Sequence, residues 1–311
     1  MFGRHNDILL MLPFSDIIIG TYTFGNGKIT KKVIKEALKL WDTVTIETGS
    51  IDPIGEAKIG RFLREVTPEE RSRLLVITKA FHYDETHPLS VDKRSVEGLY
   101  DDVRLSLEHL MIDCIDVLML HRDNTTMLVR TIAEAINNLI ETKKIKRFAL
   151  SNWSPERIQE FLNYCDQTGM QKPCALSPFF SLANAPDPLY SGTTSIKHDP
   201  ISYEQYKSFG IPILAYAGLA EGYLGSIISK SSRNWEKLDQ KNAERKRKAL
   251  EYAERNNLSL PNVALAWLLS TPHFKVHPVI RTTSLQRFLE NEKSIYIKLS
   301  TREWEELDCS V

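Results

Sequence analysis

Residues Ile115–Asn124 read IDVLMLHRDN. Ile115, Val117, Leu118, Met119 and Leu120 form a short apolar run, too short for a helix of its own and typical of a strand buried on both faces. It closes abruptly on His121, Arg122 and Asp123. In parallel α/β sheets and barrels, polar side chains at the carboxyl ends of buried strands face the ligand site. The stretch LLVITKA closes in the same way on Lys79, and KRFALSNW on Ser151 and Asn152. Singly, each has a bland reading: a satisfied core histidine, or a strand-end lysine in an ion pair. Together they describe one rim of an active site.

The bulk properties bound the answer. A chain of 311 residues with 42% hydrophobic and 26% charged content is that of a soluble globular protein with a large core. Forty basic residues balance forty acidic ones, so no global field draws nucleic acid or anionic lipid. Cys114, Cys165, Cys174 and Cys309 are scattered without metal-ligand spacing, and read as reduced thiols of a cytoplasmic protein. The opening MFGRHNDILLMLPF is too short to span a membrane and has no cleavage-site pattern, so neither a membrane nor a secretory role is expected.

Working outward, apolar strands alternate with helical stretches along the whole chain. Ile17–Ile19 is a strand before a turn containing Gly20, Gly25 and Gly27, whose spacing is not GxGxxG. A helix capped at Thr30 follows, then a β-prone VTI, a helix over Pro53–Val66, and the Lys79 strand. Helices over Val91–His109, Leu128–Lys143 and Pro155–Tyr164 separate the next strands. Beyond the strand at Ala175–Ser177, a long loop runs over Ala183–Pro200, too long for a plain connection. Tyr203–Phe209 and Trp235–Asn256 are predicted helices on either side of the strand IPILAYAG. The strand VHPVI follows the helix that Pro261 starts, and two closing helices end the chain. About eight strand–helix units with no linker predict one α/β domain over residues 1–311, a (β/α)8 TIM barrel.

The pieces GTY, ALKLWDT, GEAKIGRFL, ITK, IDVLMLH, ALSNW, ILAYAGL, ALAWLL and RTTSLQRFLEN arrive in an order and spacing that resemble the aldo-keto reductase family over almost the whole chain. The resemblance implies a barrel that binds NADP(H) across the carboxyl ends of its strands and reduces small carbonyl compounds without metal. The family's catalytic tetrad is an aspartate, a tyrosine, a lysine and a histidine. By resemblance Asp42 matches the aspartate, Lys79 the lysine and His121 the histidine. The tyrosine, five residues after the aspartate, falls on Glu47.

A carbonyl that accepts hydride becomes an alkoxide and needs a proton. Three sources are open: Tyr22 of the GTY motif, a charged His121, or a different chemistry with Glu47 as base. The resemblance also implies a cofactor groove. Gly20, Thr21 and Tyr22 lie at its start, Ser151, Asn152 and Ser177 at the nicotinamide carboxamide, and Tyr216 under the ring. Ala217 stands at the usual serine, with Leu219 and Gly222 over the pyrophosphate. Arg281, Thr282, Thr283 and Arg287 would take the 2′-phosphate, and Glu290 and Asn291 the adenine. Independently of family, guanidinium donors around a helix start suit a dianionic phosphate, which favours NADP over NAD. The leading reading is an atypical NADPH-dependent oxidoreductase. The others are an NADP-holding lyase or isomerase that moves protons through Glu47 and Lys79, and an inactive nucleotide-binding regulatory protein.

Overall fold

The structure is a computed structural model that describes residues 14–21, 27–83, 94–225, 233–282 and 284–309. The first half of the chain runs β1 (Ile18–Gly20), α1 (Gly27–Leu40), β2 (Val44–Glu47), α2 (Pro53–Glu65), α3 (Pro68–Ser72), β3 (Leu74–Ala80), α4 (Val96–Leu110), β4 (Ile115–Leu120), α5 (Val129–Glu141) and β5 (Ile145–Ser151). The second half runs α6 (Pro155–Thr168), β6 (Leu176–Ser177), α7 (Pro200–Phe209), β7 (Ile213–Ala215), α8 (Trp235–Leu238), α9 (Lys241–Arg255), α10 (Leu260–Leu269), β8 (Val276–Ile280), α11 (Leu285–Glu292) and α12 (Thr301–Asp308). The strands pair in parallel in sequence order, and β1 pairs with β8, closing an eight-strand (β/α)8 barrel. The expected fold class is therefore the observed one.

The period of two along each strand positions the site. Ile77, Met119, Ala149, Leu214 and Val279 share the small core inside the barrel, whereas Val76, Leu118, Phe148 and Ile213 belong to the larger core under the helices. Two residues further along the inward face come Lys79, His121, Ser151, Tyr216 and Arg281. The same count gives Gly20, Glu47 and Ser177 on the remaining strands. Polar residues thus replace the apolar interior one layer above its last packed ring.

Some boundaries depart from the sequence expectation. α1 begins at Gly27, so Thr30 lies inside the helix instead of capping it. α7 begins at Pro200, with Asp199 accepting from the Ser202 amide. The predicted helix over Trp235–Asn256 is two helices. Asp239 between them is extended, its carboxylate held by the Lys241 amide, Asn184 and Arg245. Among the described residues, no helix is long and apolar enough to cross a membrane, and no group of three metal-ligating side chains converges.

Candidate active site

A cavity of about 1060 Å³ opens at the carboxyl ends of the strands. At its floor the Glu47 carboxylate, at the end of β2, meets the Lys79 ammonium, at the end of β3, with Oε2 2.8 Å from Nζ. Lys79 Nζ also donates to the Thr48 carbonyl at 3.3 Å. The pair is nearly buried, with side-chain exposures of 9% and 14%, and Glu47 Oε1 is buried without a partner. Gly49 makes room for it, since a Cβ there would press on Lys79 Cβ at 3.3 Å.

Asp42 is not in this cluster. It is exposed and precedes β2 at the amino end of the barrel, where its main-chain carbonyl accepts from Arg73 Nε at 3.0 Å. The acid beside Lys79 is Glu47, the last residue of the strand, so the expected register was five residues early. Counting five residues on from Glu47 reaches Asp52, whose carboxylate caps α2 by accepting from the Gly55 amide at 2.9 Å. Glu47 is therefore the partner of the lysine.

His121 closes β4 across from this pair. Burial, then the charges of Lys79, Arg122 and His82, hold its pKa well below the ordinary histidine range, so the ring is neutral at neutral pH. Its Nδ1 is buried without a partner. His82, which sequence reasoning did not single out, packs its ring 4.5 Å from that of His121 and contacts the Tyr83 carbonyl through Nδ1. The turn that brings His82 and Tyr83 over the site passes through Phe81 at φ 67°, a left-handed conformation costly for a side chain of this size. The Phe81 amide is fixed there by the buried Asp102 carboxylate of α4 at 3.1 Å.

On the next wall, Asn152 is held at φ 61° with all four of its amide hydrogen-bonding positions used. Nδ2 donates to the His121 carbonyl at 3.2 Å and to Ser151 Oγ at 3.0 Å. Oδ1 accepts from Tyr216 Oη at 2.9 Å and from the Thr194 amide at 3.2 Å. The Thr194 amide can only donate, which fixes which amide atom points toward it. Ser151 and Ser177 donate to the carbonyls of Ser177 and Leu214 and keep acceptor lone pairs. Burial pushes the Tyr216 phenol up, making it a weak acid. Tyr83 donates its hydroxyl to the Ser191 carbonyl at 2.9 Å.

The other expected residues divide. Ala217 (φ 53°), Leu219 and Gly222 (φ 95°) line the cavity on the turn after β7. Arg281, Thr282, Arg287, Glu290 and Asn291 line its far end, around the start of α11, where Ser284 accepts from the Arg287 amide. Arg281 and Arg287 are exposed and form no ion pair among the described residues, and Glu290 pairs with Lys293 at 3.1 Å. Gly20 and Thr21 are not cavity residues. Gly20 lets β1 lie against β8, where a Cβ would meet Val279 at 3.2 Å, and the Thr21 amide donates to the Glu47 carbonyl at 2.8 Å. Tyr22 and Thr283 lie outside the described residues. The loop over 183–200 contributes Tyr190 and Thr193 to the wall. Thr48, Gly49 and Arg122 are further lining residues. The strand-end rule that found Lys79 would have found Glu47 and Thr48, but no sequence signal marked His82 or Tyr83.

An eight-strand barrel whose inward polar layer surrounds a buried Lys–Glu pair and a neutral histidine defines a class of enzyme-like α/β barrels. Residues 16–310 match the model of the aldo/keto reductase family, and the chain belongs to that family. Among curated relatives, versiconal hemiacetal acetate reductase of Aspergillus parasiticus is 22% identical, covering 96% of this chain and 93% of the relative. The aldo-keto reductase yakc of Schizosaccharomyces pombe, whose name carries NADP(+), is 27% identical over 79% of this chain and 71% of its own. A putative voltage-gated potassium channel subunit beta of the same yeast is 22% identical, covering 89% and 83%. A solved thermostable aldo-keto reductase, in complex with the inhibitor epalrestat, superposes with a TM-score of 0.69 at 19% identity, covering 95% of this chain and 94% of that one, and shares the fold. Family and fold together support an oxidoreductase acting on carbonyl compounds.

Proposed function

We propose that the chain is an NADP(H)-dependent oxidoreductase of small carbonyl compounds, with Lys79 and His121 at the carbonyl oxygen and Arg281 and Arg287 at the cofactor's 2′-phosphate. The observation that carries this reading is that one cavity joins the two ends. At the floor, the Lys79 ammonium is oriented by Glu47, and a neutral His121 presents a ring that can donate a hydrogen bond to a developing alkoxide. At the far end, two guanidinium groups without ion pairs among the described residues flank the N-terminus of α11, where an anion is favoured.

The residues between fit the rest of the cofactor in one specific sense. Asn152 has no hydrogen-bonding position left for a carboxamide, and instead fixes the Tyr216 hydroxyl. Ser151 and Ser177 keep acceptor lone pairs for an amide N–H. When bound, NADPH supplies the hydride that reduces the carbonyl carbon. The proton for the oxygen comes from a group other than Glu47, which is committed to Lys79, and Tyr22 is the phenol the sequence offers.

A second reading has an observation of its own. No phenol bonds to Lys79 among the described residues, and Glu47 Oε1 is an unbonded carboxylate oxygen on the cavity floor. That arrangement also suits a redox-neutral proton transfer. Following NADPH absorbance at 340 nm against a panel of aldehydes decides between them. Turnover that Tyr22→Phe removes supports the reductase, and NADPH binding without oxidation of any panel member removes it in favour of proton transfer or of nucleotide binding without chemistry.

A further inference from the structure

We infer that Arg122 is an anion subsite for the substrate, so that the carbonyl compound this site takes carries a carboxylate. The inference rests on the oxidoreductase reading for its reaction, but not for its binding. Arg122 follows His121 at the end of β4, half-buried in the cavity wall. Its Nη1 donates to the His121 carbonyl at 2.9 Å, an acceptor that Asn152 already shares. Its Nε is buried with no partner among the described residues.

Among the described residues, the acids beside this wall have partners of their own, Asp102 at the Phe81 amide among them. Glu47 holds Lys79, and Asp123 is taken by Arg157 through two bonds of 2.9 and 3.1 Å. Among the described residues, Arg122 itself forms no ion pair with a carboxylate. A half-buried guanidinium without a carboxylate keeps part of its desolvation cost, and an anion entering the cavity offsets it.

Arg122 cannot share an anion with the residues given to the cofactor phosphate. β4 stands four strands from β8 in the closed barrel, so Arg122 and Arg281 rise from opposite walls. The subsite is also shaped. Gly192, at φ 66°, brings the loop over 183–200 down onto the arginine, its Cβ position lying 3.5 Å from Arg122 Cδ and 3.4 Å from the Tyr83 hydroxyl. The anion is therefore covered on one side while the adjacent His121 faces the reacting end. A single guanidinium matches the one charge of a carboxylate, whereas a phosphate ester brings about two charges.

The test compares pentanal with 5-oxopentanoate, which differ by the carboxylate, in NADPH-dependent reduction. It also measures glutarate, an unreactive dicarboxylate, by calorimetry. The wild type should prefer 5-oxopentanoate. Arg122→Met should lower kcat/KM for the acid by about 10²-fold, mainly through KM, with a far smaller change for pentanal. Arg122→Lys should recover part of the loss. Glutarate binding should disappear in Arg122→Met, with circular dichroism confirming that the variant is folded. Glutarate binding that depends on Arg122, in a protein that reduces no aldehyde, would support the subsite while removing the redox reading. Equal kcat/KM for the two aldehydes in the wild type, equal losses in Arg122→Met, or preference for a phosphorylated aldehyde would overturn the inference.

Discussion

Two buried carboxylates at opposite ends of the barrel look alike and behave differently. Asp116, early in β4, reaches Lys146 of β5 at 2.6 Å, and Glu47, at the end of β2, reaches Lys79 of β3 at 2.8 Å. Their side-chain exposures are 7% and 9%. Asp116 uses both oxygens: Oδ2 accepts from the Val76 amide at 3.0 Å and lies 3.5 Å from Arg71, while its lysine stands 59% exposed in water. Glu47 leaves Oε1 unbonded, and its lysine is 14% exposed on a cavity wall. A carboxylate with both oxygens bonded stitches strands together. One with an orphaned oxygen beside a cavity is, on the proposed reading, part of the site.

The largest effect that could break this contrast is on turnover. Lys79→Met should lower carbonyl reduction by roughly 10²–10⁴-fold. It should also lower the melting temperature, because Glu47 is left charged and buried without its partner. Adding Glu47→Gln to that background should restore much of the stability and none of the rate. Thermal melts and initial rates on the same three proteins check both. If the double variant regains turnover, the upper pair is structural after all.

Histidines sharpen the comparison from the amino end. His277, buried in β8, donates from Nδ1 to the Ser15 carbonyl, and burial lowers its pKa to about 4. A folded-state pKa below the unfolded value means that the unfolded chain takes up the proton first. Stability should therefore fall as pH drops from about 6.5 toward 4, by at most roughly 3 kcal/mol from this residue. His121 is shifted in the same direction, so the quantity to measure is the flattening of the denaturation-versus-pH curve in His277→Gln. A curve identical to wild type would mean that His277 is solvated, not buried neutral.

The same contrast separates what the local sequence displays from what it hides. The strand ends at Lys79, His121 and Ser151 are legible because a run of apolar residues stopping at a polar one is a property of the chain itself. The register of the acid is not, because Asp42-Thr43 and Glu47-Thr48 both present an acid followed by a threonine. Residue identity favours the first. The strand grammar favours the second, since Val44–Glu47 is the strand and only its last residue reaches the cavity. Arg122 and Asp123 are visible as a polar cluster, but nothing local says that Arg157, thirty-four residues later in sequence, neutralises one and leaves the other. His82 enters through a left-handed Phe81, a backbone choice that no pattern of side chains announces.

Cofactor selectivity is the next effect in size. Arg287→Ala should weaken NADPH binding by roughly 1.5–3 kcal/mol and bring it toward NADH, whose affinity should change little. Fluorescence titration of both nucleotides measures this. Equal affinities in the wild type would take the 2′-phosphate away from the start of α11 and leave Arg281 and Arg287 without an assignment.

The smallest effect belongs to the lower pair, and it is the one that tests whether the two ends differ in kind. Asp116→Asn keeps an oxygen to accept from the Val76 amide and removes only the charge facing Lys146 and Arg71. Lys146 is mostly solvated, so the lost attraction is that of a screened pair, about 1 kcal/mol or less in chemical denaturation. Asp116→Ala goes further by leaving the amide of a fully buried Val76 without an acceptor, which should cost roughly 1–3 kcal/mol. Neither variant touches the cavity, so kcat and KM per folded molecule should stay at the wild-type values while stability steps down from Asn to Ala. A fall in kcat for Asp116→Asn with unchanged stability would mean that β3 transmits the lower pair's state upward to Lys79. The two carboxylates would then be one device spanning the barrel, and their separation into fold and chemistry would fail.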